Sequence, residues 1–85
     1  MYHLYILTCA DRTLYTGIAR DLEKRMREHN AGKLGAKYTR SRRPVKLAYS
    51  RRFRSRSNAL KEEARIKALS RKEKLALIAL IKKKP

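Results

Sequence analysis

Eighty-five residues carrying 24 lysines and arginines against 7 acids, a net charge of +17, leave room for one domain, spanning 1–85, with a thin core. That much like charge repels itself and attracts polyanions, so nucleic acid is the expected partner and no obligate protein partner is expected. No run approaches the ~18 apolar residues of a membrane span, and no helix sets a wholly basic face against a bulky aromatic one, so a membrane partner is not expected either.

Tyr2 to Cys9 is rich in aromatic and β-branched residues and reads as a first strand. Met1-Tyr2-His3 lacks the basic start of a leader peptide, and none is expected. Cys9 has no second cysteine to pair with, which fits a reducing compartment, the cytoplasm, and a packing role. Leu14 to Ile18 reads as a second strand, and the short gap makes a hairpin. A two-residue loop would put Tyr5 and Tyr15 on opposite faces. A three- or five-residue loop sets Tyr15 opposite Leu7 and Tyr5 opposite Gly17, on one face. Residue spacing leaves that choice open.

A helix is expected from Asp21 to Asn30, with Asp21 and Glu23 at its positive end and Leu22 and Met26 on one face. Arg25 and His29, also four apart, stand beside that face. Asn30-Ala31-Gly32 is the expected stop. From Gly32 to Pro44 no hydrophobic period appears, and this stretch reads as a basic loop whose arginines can change without loss of the fold. Val45, Leu47 and Tyr49 alternate as a third strand, continuing into Arg51-Arg52-Phe53-Arg54. A second helix is expected over about Asn58 to Leu69. Ser70-Arg71-Lys72-Glu73 is a capping box that opens a third helix through about Ile81. The order implies an α+β fold, a three-stranded antiparallel sheet flanked by three helices.

Few carboxylates are available for chemistry. Asp11 lies in a turn, Asp21, Glu23 and Glu28 on the first helix, and Glu73 serves as a cap. Glu62 and Glu63 remain, and helical geometry does not separate them. Each of the residues singled out has a plain structural reading too. Tyr5 and Tyr15 are also core aromatics, Arg25 a solvated charge, His29 a core-edge histidine and Glu63 an ion-pair partner for Arg25 or Lys67.

The ordered set resembles the GIY-YIG nuclease signature. His3-Leu4-Tyr5 matches its first half and Tyr15-Thr16-Gly17 its second, followed by Arg25, His29, Lys37-Tyr38-Thr39-Arg40 with Pro44, Ala59-Leu60-Lys61-Glu62-Glu63 and Ile66-Lys67. The resemblance covers nearly the whole chain and is nearest to small stand-alone bacterial GIY-YIG proteins. His3 stands where the first motif has glycine, and no asparagine follows Asn58, where many members have one.

The resemblance implies an endonuclease that hydrolyses DNA phosphodiester bonds, structure-selective or non-specific, with a place in DNA repair or recombination. It favours the odd hairpin loop and assigns Tyr5, Tyr15, Arg25, His29 and Glu63 to catalysis, with Gly17 as the motif's backbone residue. In that reading Tyr15 takes a proton from water while Tyr5 supports it by a hydrogen bond. A tyrosine has a reference pKa of ~10, so serving as a base requires roughly 3–4 kcal/mol of favourable interaction with the phenolate. Glu63 is the implied ligand of Mg²⁺ or Mn²⁺, an ion that keeps much of its water and accepts a single carboxylate. The expected DNA clamps are Lys33, Lys37, Arg40, Arg42, Arg43, Arg51, Arg52, Arg54 and Arg56, with Tyr38 available to stack on a base. The alternative is a basic DNA- or RNA-binding module that does not cleave.

Overall fold

A computed structural model of the chain describes residues 1–32 and 35–82, with side chains through residue 80. Lys33 therefore lies outside the described residues, as do the lysines beyond position 82.

β1 (Tyr2–Thr8) and β2 (Leu14–Ala19) form an antiparallel hairpin. Its loop is Ala10-Asp11-Arg12, closed by the Cys9 N–H donating to Thr13 O and the Arg12 N–H to Cys9 O, both at 2.9 Å. Arg12 takes the left-handed conformation, φ 69°, that a three-residue hairpin loop requires. The loop is thus odd, and the register sets Tyr15 opposite Leu7 and Gly17 opposite Tyr5. β3 (Lys46–Phe53) pairs with the other side of β1, giving the order β2-β1-β3. A bulge shifts this second register between Ile6, opposite Tyr49, and Leu7, opposite Leu47.

As the central strand, β1 is covered on both faces, and Leu4, Tyr5, Ile6 and Leu7 are all buried. Alternation sends Leu4 and Ile6 one way and Tyr5 and Leu7 the other. Leu4 and Ile6 meet Tyr49, Ile66 of α3 (Arg56–Lys67) and Ile78 of α4 (Arg71–Lys82). Tyr5 and Leu7 meet Cys9, Val45 and, from α1 (Leu22–Asn30), Leu22 and Met26. The Cys9 thiol is packed in this second cluster, and burial pushes its pKa up.

Local chemistry starts each long helix. Asp21 caps α1 by accepting from the Lys24 N–H at 3.0 Å. Ser55 caps α3, which therefore begins two residues before the expected Asn58. Ser70 and Glu73 form the reciprocal capping box at α4, with bonds of 3.1 and 2.9 Å. The region read as a plain loop contains a fourth helix, α2 (Lys37–Arg40), against the three expected. A single turn is too short to show a hydrophobic period, so side-chain bonds hold it instead.

The same region is tied to α1 by polar contacts. Asn30, the last residue of α1, brackets Val45. Its Nδ2 donates to Val45 O at 3.0 Å, and its Oδ1 accepts from the Val45 N–H at 2.7 Å. Arg43 donates to the carbonyls of His29 (2.7 Å), Glu28 (3.3 Å) and Gly32 (2.8 Å), capping the negative end of α1. Arg42 donates to Asp11 at 2.9 Å and to Tyr38 O at 2.9 Å. The expectation that Arg42 and Arg43 can change without loss of the fold is therefore corrected. Both guanidiniums fasten the chain internally.

Asn30→Ala should lower unfolding free energy by about 1–3 kcal/mol, because it strands a backbone donor and acceptor at the start of β3. The exposed Asn58, whose side chain makes no such bracket, is the control, and Asn58→Ala should stay within about 0.5 kcal/mol of wild type. Urea unfolding of both variants checks the pair. Equal losses would remove the assigned role of Asn30.

Candidate active site

The face of the sheet toward α1 carries Tyr5, Tyr15 and Gly17. Tyr5 lies across the glycine directly opposite it. A Cβ at position 17 would stand 2.6 Å from Tyr5 Oη and 2.8 Å from its Cζ, so a side chain there collides with the phenol. Gly17 serves the site by leaving room for an aromatic ring.

The Tyr5 hydroxyl lies 2.8 Å from His29 Nε2, and His29 Nδ1 lies 2.8 Å from Thr39 Oγ1. Thr39 Oγ1 in turn donates to Ala36 O at 2.9 Å. With its one hydrogen used there, Thr39 accepts from Nδ1–H, which leaves Nε2 to accept from the Tyr5 hydroxyl. This tautomer is assigned from the partners at each end of the network. Arg25, on α1 one turn before His29, also interacts with the Tyr5 hydroxyl, and its charge favours the phenolate. The tyrosine hydroxyl is thus committed to His29, with the Arg25 charge nearby.

His29 is fully buried. Burial first, and the nearby Arg25 charge second, lower its pKa from 6.5 to about 4. The imidazole is neutral at pH 7. Tyr5 is raised above its ordinary value by burial, against the opposing effect of Arg25. It is a hydrogen-bond donor at neutral pH, and its partners are His29 and Arg25. The expected hydrogen bond from Tyr5 to Tyr15 is replaced by this arrangement.

Tyr15 is held by its ring. It meets His29 edge-on at a centroid distance of 5.4 Å and stacks on Tyr38 at 5.8 Å. The Arg42 guanidinium lies 3.8 Å from the Tyr38 ring centroid on α2. Arg25 pairs with Glu28 at 2.8 Å and remains partly exposed. Glu63, on α3, is half-buried and pairs with Lys67 at 3.3 Å. Its charge is among those that raise Tyr5, which puts it in electrostatic reach of the phenol. Glu62, indistinguishable by helical spacing, is held by Arg65 at 2.6 and 2.7 Å and by Arg51 at 3.3 Å.

Tyr5, Tyr15, Arg25 and His29 thus meet around one buried imidazole, with Glu63 nearby. Among the described residues no three His, Cys, Asp or Glu side chains gather as a metal site. The donor set that remains, one half-buried carboxylate beside polar groups, suits a hydrated hard cation completed by substrate oxygens. The basic residues divide. Lys37, Arg40, Arg52, Arg54 and Arg56 are exposed. Arg51 pairs with Glu62 and lies over the Phe53 ring. Arg42 and Arg43 bond to other parts of the fold, and the exposed Tyr38 stacks on Tyr15 with Arg42 against its ring.

Thr39 was legible only as part of the Lys37–Arg40 run, with no role attached. A threonine in a polar stretch gives no sign that it fixes a histidine ten residues earlier.

The model of the GIY-YIG catalytic domain matches residues 1–76. The chain belongs to the GIY-YIG family, a family of nucleases. It is similar to a UPF0213 protein of Syntrophus aciditrophicus, 59% identical over 89% of this chain and 87% of that one. It is also similar to a UPF0213 protein of Staphylococcus saprophyticus, 53% identical over 92% and 94%. The solution NMR structure of a UPF0213 protein from Bacillus halodurans is 42% identical, covers 94% of this chain and 85% of that one, and superposes with a TM-score of 0.61. The GIY-YIG tyrosine and glycine of this chain are therefore paired across a hairpin, and the distances above explain that pairing.

Two outcomes follow for this GIY-YIG site. The unfolded chain takes up a proton at His29 between pH 6.5 and about 4, where the folded chain does not. Folding stability should therefore be full above pH 6.5 and fall towards pH 4, by up to about 3 kcal/mol from this group. Denaturation of wild type and His29→Asn across that range checks it, since the variant should lose that part of the slope. Separately, Gly17→Ala should destabilise by about 1–3 kcal/mol as the methyl displaces the Tyr5 ring. Calorimetry showing an unchanged melting temperature would refute the steric role.

Proposed function

We propose that this GIY-YIG protein is a metal-dependent endonuclease that hydrolyses DNA phosphodiester bonds with little sequence preference, in DNA repair or recombination. The observation that carries the reading is the convergence of Tyr5, Tyr15 and Arg25 on the buried, neutral His29. Burial accounts for the partners on the two ring nitrogens, but not for the Tyr15 ring and the Arg25 guanidinium gathered beside them.

Each residue has a role that its surroundings support. Arg25 holds a non-bridging phosphate oxygen through its planar donors and stabilises charge as phosphorus becomes five-coordinate. Tyr15, as its phenolate, accepts the proton of the attacking water, the P–O bond to the leaving strand breaks as the new one forms, and the departing oxygen takes its proton from solvent. Tyr5 and His29 keep Arg25 and Tyr15 in place, and Thr39 fixes the imidazole. Glu63 is the carboxylate that holds Mg²⁺ or Mn²⁺ when the ion is bound. That ion supplies positive charge to the phosphate oxygens. Arg25 would have to leave Glu28 to hold the phosphate, and Glu63 would have to leave Lys67 to hold a cation. Both are single, partly exposed ion pairs within one helix, of modest strength.

Purified wild type should nick branched or linear DNA in Mg²⁺ or Mn²⁺. Glu63→Ala and Tyr15→Phe should lose at least about a hundredfold in rate while retaining most DNA binding. If wild type and Glu63→Ala cut equally, the activity is a contaminant and the protein is a non-cleaving DNA- or RNA-binding module.

A further inference from the structure

The basic stretch between Gly32 and Pro44 offers fewer phosphate donors than its composition promises, because Arg42 and Arg43 are committed to the fold. The surface on the other side of Arg25 is different. A recess of about 340 Å³ is lined by Tyr2, Ile18, Ala19, Arg20 and Arg56. A second, of about 280 Å³, adds Asp21, Lys24, Arg25 and Glu28 to the same Ile18-Ala19-Arg20 segment. Sharing that segment, the two form one open trough along the end of β2.

Arg25, which lines the second recess, is also the charge that acts on Tyr5. Away from it stand Arg20, Lys24 and Arg56, all exposed. The acids along it are already used. Asp21 caps α1 and Glu28 pairs with Arg25. The floor is strand backbone with the small Ala19 and the Tyr2 ring, over which Arg20 lies at 5.5 Å. An open recess lined by Arg20, Lys24, Arg25 and Arg56 suits a run of successive phosphates better than one compact anion.

We infer that this trough is a second binding track, which takes the backbone of the nucleic-acid strand leading away from Arg25, with Arg20, Lys24 and Arg56 as its phosphate partners. The inference rests on the reading of the chain as a protein that acts on nucleic acid, and it is separable from cleavage. It assigns to binding Tyr2, Arg20 and Lys24, which the sequence alone did not single out.

The test is anisotropy of a fluorescein-labelled DNA duplex in EDTA, so that binding is read without cutting. Arg20→Gln with Arg56→Gln is compared with Lys46→Gln plus Lys72→Gln. The control pair removes the same charge at the other end of the sheet, where Arg71 at the start of α4 donates to Arg12 O at 2.7 Å. Both pairs are exposed, and melting temperatures verify that the fold is intact. The trough pair should weaken binding roughly tenfold or more near 0.1 M salt and flatten the slope of log K against log salt by about 1.8 units. The control should move neither by more than a fraction of that. Equal effects from both pairs, or none from the trough pair, would overturn the track. Wild type that binds through the trough but never cuts would sink the nuclease reading and leave the track standing. Glu63-dependent cutting with unaltered binding in the trough pair would do the reverse.

Discussion

A buried imidazole without charge sets the terms for this molecule. His29 sits in a region that excludes water, so each ring nitrogen needs a partner, and the partners come from distant parts of the chain. Tyr5 arrives from the central strand and Thr39 from a one-turn helix. Leaving either nitrogen unpaired costs about 1–3 kcal/mol, a large share of what a domain of this size has to lose. The network therefore holds the sheet, α1 and α2 in one relative position. The polar centre and the architecture around it are the same set of contacts seen at two scales.

Much of this fold was legible because hydrophobic alternation and capping chemistry are local. Leu4 and Ile6 alternate against Tyr5 and Leu7, and Ser70 with Glu73 marks the start of α4 without reference to anything distant. The hairpin register was not legible from spacing, since one residue more or less in the loop inverts both tyrosines. Arg12 in the left-handed conformation decides it, and arginine has no special preference that would announce this. The site followed the same division. Arg25 and His29 share a helical face by spacing alone, but Thr39 is ten residues away and α2 is too short to show a period. Helical spacing does not separate Glu62 from Glu63, and the pairing of Glu62 with Arg51 across to β3 is a tertiary fact that no local pattern announces.

Charge in this chain carries two distinct duties. A count of +17 describes a tendency to meet polyanions, yet it does not say which guanidiniums face outward. Arg43 is the clearest case. The carbonyls of Glu28, His29 and Gly32 take its donors, so it secures the end of the helix that carries Arg25. Arg42 joins the hairpin loop to α2 through Asp11 and backs the Tyr38–Tyr15 stack. Composition assigns both to the surface field, whereas geometry assigns them to the scaffold that aims the rest.

The position of β3 at the rim of the sheet has a separate consequence. A rim strand presents unpaired amides and carbonyls, and a second chain can extend the sheet by adding to it. Exposed Lys46, Arg51 and Arg52 line this strand. Two copies approaching strand to strand would bring those cations face to face, and the repulsion grows as salt is lowered. The cations along this strand thus oppose the stacking of copies into ribbons, a safeguard that weakens in concentrated salt.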